Sequence, residues 1–174
     1  GSSDSTPSVV ENYVKSHPEV HLETIQHSGK GQAIKHGILN ATGKYRFTCD
    51  ADLSMPIEHL NHFLLNMNKG YDVVIGSRQI LGARRFNEPK LRHVMGRAFN
   101  LIVSVLAIAG FQDTQCGFKC FQGEIADELF PLIITKGFGF DVEILYLATK
   151  RRLNILEVPI DWHYHSASKV RIVT

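Results

Sequence analysis

Apolar positions along the chain change rhythm repeatedly, and each change marks an element. Val9, Val10, Tyr13 and Val14 share one stripe at helical spacing, which predicts a helix over Thr6 to Ser16. Val20 to Ile25 predicts a strand. Helical spacing returns with Ala33, Ile34, Ile38 and Leu39, over Gly31 to Thr42, and Gly43 stops that helix. Tyr45 to Cys49 predicts a strand. Pro56 opens the next helix in its first turn, with Ser54 as a candidate cap and Gly70 beyond its end. Asp72 to Ile75 predicts a short buried strand and Gln79 to Glu88 a polar loop. Lys90 to Ala109 predicts a long helix, Gly117 to Phe121 a strand, and Gly123 to Leu132 and Phe140 to Arg152 two further helices. Ile155 to His163 predicts the last strand.

Strands alternating with helices imply an α/β sandwich with a mainly parallel sheet, whose ligands sit beyond the carboxyl ends of the strands. Neither an internal repeat nor a low-complexity linker divides the chain, so residues 1–174 read as one domain. The 174 residues suit a single core, and 44% hydrophobic with 21% charged residues fits a globular chain. The formal net charge of +2 argues against a general nucleic-acid binder. Positive charge is nevertheless local: Arg84, Arg85, Lys90, Arg92 and Arg97 crowd one stretch, which suggests phosphates of a nucleotide or a lipid. The most apolar run, Ala98 to Phe111, is interrupted by Asn100 and Ser104. It falls short of the roughly 20 apolar residues a bilayer span needs.

Three cysteines without a CxxC pair make no disulfide framework and fit a reduced compartment. Cys116 and Cys120 lack a second ligand pair for zinc. The nine histidines, including His59, His62, His163 and His165, read as solvated surface residues.

The strongest chemical signal is Asp50-Ala51-Asp52, directly after a strand. Two carboxylates one residue apart in a loop suit Mg²⁺ or Mn²⁺, which completes its shell with water and diphosphate oxygens. A solvated turn is the competing reading. Gly29-Lys30-Gly31 enters a helix whose first N–H groups favour an anion, and Gly76-Ser77-Arg78 ends another strand with a guanidinium fork.

The blocks Gly29-Lys30-Gly31-Gln32-Ala33-Ile34, Asp50-Ala51-Asp52-Leu53-Ser54, Gly76-Ser77-Arg78, Asp113-Thr114-Gln115-Cys116-Gly117-Phe118-Lys119, Phe140-Asp141-Val142-Glu143 and Ser168-Lys169-Val170 stand in one order along nearly the whole chain. Together they resemble the family 2 glycosyltransferases of the GT-A fold, a Rossmann-like nucleotide-diphospho-sugar transferase sandwich. Within that family they look most like dolichyl- or polyprenyl-phosphate glucosyltransferases and mannosyltransferases. Gly1-Ser2-Ser3-Asp4-Ser5-Thr6 is similar to the end of the family's acidic turn. The resemblance therefore implies an N-terminally truncated catalytic domain, without the family's opening strand and base-binding turn.

The resemblance also implies roles. Asp50 and Asp52 resemble the metal pair, with Ser54 where some mannosyl relatives place a glutamine ligand. Lys30, Arg78, Arg97 and Lys169 resemble donor- or phosphate-binding residues. Asp113 and Glu143 fall on the acceptor side. The residues expected to carry catalysis are Asp52, Asp113 and Arg78, although Asp113 read by itself is equally a turn residue. The implied activity is inverting hexosyl transfer from a nucleoside-diphosphate sugar, UDP-glucose before GDP-mannose, to a polyprenyl or dolichyl phosphate. It would take place on the cytoplasmic face of a membrane. The alternatives are a same-fold transferase with a polysaccharide acceptor and a non-catalytic binding domain of this fold. Three geometric expectations follow. Asp50 and Asp52 share one edge of the sheet, Arg78 and Arg97 face their cleft, and the Lys90 to Ala109 helix leaves apolar surface exposed for a membrane.

Overall fold

The computed structural model describes residues 1–52 and 54–164. Helix α1 spans Thr6–Val14, α2 Lys30–Asn40, α3 Leu60–Met67, α4 Lys90–Leu106, α5 Gly123–Leu129 and α6 Phe140–Lys150. The strands are β1 Tyr45–Thr48, β2 Val73–Ser77, β3 Arg84–Phe86, β4 Lys119–Gln122, β5 Ile155–Pro159 and β6 Asp161–His163. Two 3₁₀ turns, Ile57–His59 and Phe130–Leu132, sit at ends of α3 and α5.

Strand β2 organises the core. All five of its residues are buried. Successive side chains of a strand point to opposite faces, so Val73 and Ile75 enter one cluster with Leu129, Ile144 and Leu145 of α5 and α6. Val74 enters the other, with Phe63 and Met67 of α3. Helices thus cover both faces of one sheet. On the α3 face Phe47, Phe63 and Phe118 meet edge to face, with ring centroids 5.0–6.2 Å apart. Fully burying such a ring contributes about 1.5–3 kcal/mol.

The sheet corrects the expectation of mainly parallel pairing. Its order is β1-β4-β2-β5. Strand β4 runs antiparallel to both β1 and β2, and the β2–β5 pair is parallel. The reversal has a consequence for function. Thr48, Lys119 and Ile75 lie side by side, so the segment entering β4 emerges at the same edge where β1 and β2 end. A second sheet pairs β3 with β6 in parallel.

Three further differences have local causes. Val20 to Ile25 forms no strand, because among the described residues no neighbour supplies it with a ladder, and Val20 and Ile25 are only partly buried. The stretch read as the loop Gln79 to Glu88 contains β3, since Arg84–Phe86 finds a partner in β6. The last strand breaks at Ile160, whose buried side chain turns into the α3-side core. Neither α3 nor the 3₁₀ turn before it has a side-chain cap hydrogen bond, so Ser54 does not cap that helix, and its N–H donates to Asp52 Oδ1 at 3.0 Å. Strand β6 also crosses the turn before α3. There His59 Nε2 accepts the Asp161 N–H at 3.0 Å, and burial lowers the pKa of that imidazole. His163 stacks on Phe86 with centroids 4.5 Å apart. These two histidines are built into the structure rather than solvated, and His165 lies outside the described residues.

Candidate active site

A cleft of about 540 Å³ opens at the edge where β1 and β2 end. Its size suits a small-molecule ligand. Asp50 and Asp52, from the turn after β1, line it together with Arg78 from the end of β2. Asp113 and Gln115 reach it from the segment before β4, and Asp141 from the first turn of α6. Met95 and Phe99 of α4 form an apolar wall, and Trp162 and Tyr164 close another side. The two aspartates and Arg78 thus line one cleft.

Asp50 sits in a notch that only glycine permits. A Cβ on Gly117 would stand 2.2 Å from Asp50 Oδ2. Its other oxygen, Oδ1, pairs with Lys30 Nζ at 2.7 Å. Lys30 is therefore held by Asp50 within the cleft, with its ammonium over Phe138 at 5.7 Å from the ring centroid. Nearby, the Gly31 N–H at the start of α2 donates to Lys136 O at 2.8 Å, so this helix end spends one anion-binding donor on the 135–137 segment. Asp52 accepts the Ser54 N–H through Oδ1.

Two carboxylates are too few for an all-protein cage, and no cluster of three or more ligating side chains occurs among the described residues. Mg²⁺, however, is commonly held by one or two carboxylates plus substrate phosphates. The Asp50–Asp52 pair, with the Gly117 notch behind it, fits that chemistry. When bound, such an ion supplies positive charge against a diphosphate leaving group.

Arg78 is gripped on three sides of one carboxylate. Its Nε donates to Asp113 Oδ2 at 2.7 Å, its Nη2 to Oδ1 at 2.8 Å, and its backbone N–H to Oδ2 at 2.9 Å. The guanidinium also lies over the Trp162 ring, 5.4 Å from its centroid. Burial would lower the arginine's pKa, but Asp113's charge and hydrogen bonds prevail and raise it. Burial would likewise raise the Asp113 carboxyl. The Arg78 charge and hydrogen bonds outweigh it and hold Asp113 below the usual carboxylate range. In this arrangement Asp113 orients Arg78, because both of its oxygens are already filled.

A stability prediction follows, with its sign. Asp113's folded-state pKa lies below its unfolded value of about 3.9. Its contribution is therefore complete above about pH 4 and is lost as pH falls through the folded pKa. Asp113→Asn takes the paired charge from Arg78, which is partly open to the cleft, at an expected cost of about 1.5–3 kcal/mol at pH 7. Chemical denaturation across pH is expected to show that gap narrowing in acid. A gap independent of pH would count against the pair.

Several contributors escaped the sequence reading. Glu157 of β5 accepts the Gln112 and Asp113 N–H groups at 2.9 and 3.0 Å and so fixes the segment that carries Asp113. Burial pushes its carboxyl up. Asn100 of α4 accepts the Thr114 N–H at 3.2 Å and donates to Phe111 O at 3.1 Å, tying the apolar helix to the same segment. Lys119 is the fully buried partner of Asp141, whose pairing with a basic group at a helix start was the expected part, and Lys119 also donates to Cys116 O. The available signal was a charge at a position whose strand neighbours are apolar, as with Lys119 before Cys120-Phe121 and Glu157 within Ile155-Leu156-Glu157-Val158.

Other expected residues lie apart. Arg97 is exposed and is not among the residues lining the cleft. Among the described residues it approaches Gln79 Oε1, at 3.5 Å. Arg84 pairs with Asp161, and Arg85 with Glu88 at 3.1 Å, so part of the basic stretch is internally neutralised. Glu143 accepts the Ile134 and Thr135 N–H groups at 2.9 and 2.8 Å and shapes the loop before α6, away from the cleft lining. Lys169 lies outside the described residues. Cys49, Cys116 and Cys120 are free thiols. Burial pushes Cys116 up to about 12, so it stays a protonated core residue.

An α/β domain with a paired-aspartate turn and a phosphate-suited arginine at one sheet edge is the build of a nucleotide-sugar transferase. The sequence profile described as Glycosyl transferase family 2 matches residues 1–129, and the chain belongs to that family. It is 35% identical over 99% of its length to a dolichyl-phosphate beta-glucosyltransferase of Trichomonas vaginalis, and 36% identical over 98% to one of Dictyostelium discoideum. It spans about half of those relatives, 53% and 55% of their lengths. Among solved structures, glucosyl-3-phosphoglycerate synthase from Mycobacterium tuberculosis, in complex with Mn²⁺, UDP and phosphoglyceric acid, superposes with a TM-score of 0.62. That match has 16% identity and covers 97% of this chain and 58% of the other. At that identity the likeness concerns the fold, a GT-A-like α/β architecture.

Proposed function

We propose that this chain is the greater part of a catalytic domain that transfers a hexose from a nucleoside-diphosphate sugar, UDP-glucose before GDP-mannose, to a dolichyl or polyprenyl phosphate. The observation that carries this reading is the cleft that gathers Asp50, Asp52 and Arg78 beside an apolar helix wall. The relatives' names, dolichyl-phosphate beta-glucosyltransferase, support glucose as the transferred sugar and dolichyl phosphate as the acceptor class. An acceptor phosphate oxygen attacks the anomeric carbon, the bond from that carbon to the nucleoside diphosphate breaks, and configuration inverts. The attacking oxygen is already anionic and needs no general base. Asp50 and Asp52 would hold a Mg²⁺ or Mn²⁺ ion, which when bound would supply positive charge against the leaving diphosphate. Arg78, fixed by Asp113, presents its remaining guanidinium surface to phosphate, and Lys30 exchanges Asp50 for a donor oxygen. Lys169 is proposed as a further phosphate contact, whereas Arg97 and Glu143 lie apart from this cleft and take no part in it. The test is transfer of radiolabelled hexose from UDP-glucose or GDP-mannose into butanol-extractable dolichyl phosphate. Label appearing instead in a polysaccharide would transfer the assignment to another acceptor, and binding without transfer would favour the non-catalytic reading.

Helix α4 supports a membrane-facing acceptor. No helix among the described residues is long and apolar enough to cross a bilayer. Yet Leu101 and Ile102 are 65% and 56% exposed, and Leu91, Val94 and Phe99 are exposed as well. Ile108, by contrast, is buried in the core, so it is no part of this surface. Such a face suits the interfacial layer, with Arg97 toward anionic headgroups. Co-sedimentation with vesicles containing anionic lipid is expected to fall severalfold for the Leu101→Asp, Ile102→Asp double variant. Both positions are exposed, so the fold is expected to persist. Equal binding by variant and parent would remove α4 as the contact.

A further inference from the structure

Gln115 holds a buried donor with nothing to bond. Its side-chain Nε2 is sequestered from solvent and has no hydrogen-bond partner among the described residues. Such a group costs stability unless a partner arrives. The same residue lines the cleft. Its backbone is fixed on both sides. The Gln115 N–H donates to Asp113 Oδ1 at 3.3 Å, and two residues on, Gly117 packs against the Asp50 carboxylate. Next to it, Cys116 lies buried with Sγ 3.6 Å from Met55 Sδ. The segment that carries the amide is therefore tied to the Arg78–Asp113 pair on one side and to the Asp50 carboxylate on the other.

We infer that Gln115 reads a hydroxyl of the transferred hexose, a donor-side specificity contact that rests on the transferase reading above. The diphosphate already has charged partners in Arg78, Lys30 and the Asp50–Asp52 site. A neutral amide matches a neutral group that accepts one hydrogen bond and donates another, which is what a sugar hydroxyl offers. A site built to hydrogen-bond a hydroxyl also discriminates against ligands that lack it, because its own polar group is then left unpaired.

Calorimetric titration with UDP, UDP-glucose, GDP and GDP-mannose in Mn²⁺ tests this with the chain as it stands. The parent protein is expected to bind one sugar nucleotide more tightly than its sugar-free diphosphate. Gln115→Met is expected to lose about tenfold of that preference while binding the diphosphate unchanged. It is also expected to match or exceed the parent in Tm, since the stranded donor is gone. A purely structural glutamine would instead lower Tm and leave the preference intact, and that outcome overturns the inference. Gln115→Glu, which keeps the acceptors and removes the donor, is expected to follow Gln115→Met in ligand preference. A retained preference in both variants overturns the inference while leaving the transferase reading in place. Failure of the parent to bind any of the four nucleotides overturns the donor reading and the inference together.

Discussion

Asp52→Asn is expected to reduce hexosyl transfer by about a hundredfold or more, with little change in stability. Metal stabilisation of developing charge amounts to several kcal/mol, and each 1.36 kcal/mol is about tenfold in rate. Asp52 is exposed, and the Ser54 N–H that it accepts can be kept by the asparagine oxygen. Folding is therefore insulated from the change. Asp50→Asn is expected to be as damaging to transfer and to carry a further signature. It removes the ionic partner of Lys30, whose Nζ lies 2.7 Å from Asp50 Oδ1. Mn²⁺ affinity, followed by electron paramagnetic resonance with UDP present, is the direct readout for both variants. Undiminished Mn²⁺ binding together with normal transfer would return Asp50-Ala51-Asp52 to the status of a solvated turn.

The second large effect concerns stability. Lys119→Met is expected to lower the unfolding free energy by about 3–5 kcal/mol, the cost of breaking a buried ion pair by removing one partner. Lys119 and Asp141 are 1% and 2% exposed at their side chains, so water cannot replace the lost ammonium. Burial already pushes the Asp141 carboxyl above the usual range, with the Lys119 charge acting against it. Without that charge the carboxyl would take up a proton more readily. The deficit of Lys119→Met is therefore expected to shrink as pH falls and Asp141 is neutralised. Adding Asp141→Asn should recover a large part of the loss, because the stranded charge disappears. Urea unfolding of the single and double variants decides it. A single variant as stable as the parent would show that the pair is not structural.

Most of the fold's parts were legible because burial imposes a local period. Ile34 and Ile38 mark α2, and Val73, Val74 and Ile75 mark β2, by spacing alone. Candidate site positions were legible where the signal is local too. Asp50-Ala51-Asp52 at a strand end and Arg78 at another need no partner to be recognised, and both line the cleft. The Lys90 to Ala109 run announced a helix with a basic start, an apolar end and apolar surface left over, and α4 has exposed apolar residues at Leu101 and Ile102. Which side chains of that run face the core was decided elsewhere. Ile108 is buried against the α5–α6 side, and Asn100 fastens α4 to Phe111 and Thr114.

What sequence order left open is the set of long-range pairings, and the tertiary structure decided those. Periodicity reports which residues are buried but not the direction in which a strand joins its neighbours, so the antiparallel insertion of β4 between β1 and β2 was invisible in it. That reversal carries Asp113, Gln115 and Gly117 to the edge where β1 and β2 end. It sets Asp113 against Arg78, 35 residues earlier, as an ion pair rather than as a free carboxylate. The same geometry occupies Lys30 with Asp50 and leaves Arg97 outside the cleft lining. By itself the sequence determined the α/β class, the paired-aspartate turn and the family blocks, because each is written in neighbouring residues. The tertiary structure alone decided which charges are paired, which are buried and which donor is left without a partner. Those properties depend on distances between segments that only the packed sheet brings together.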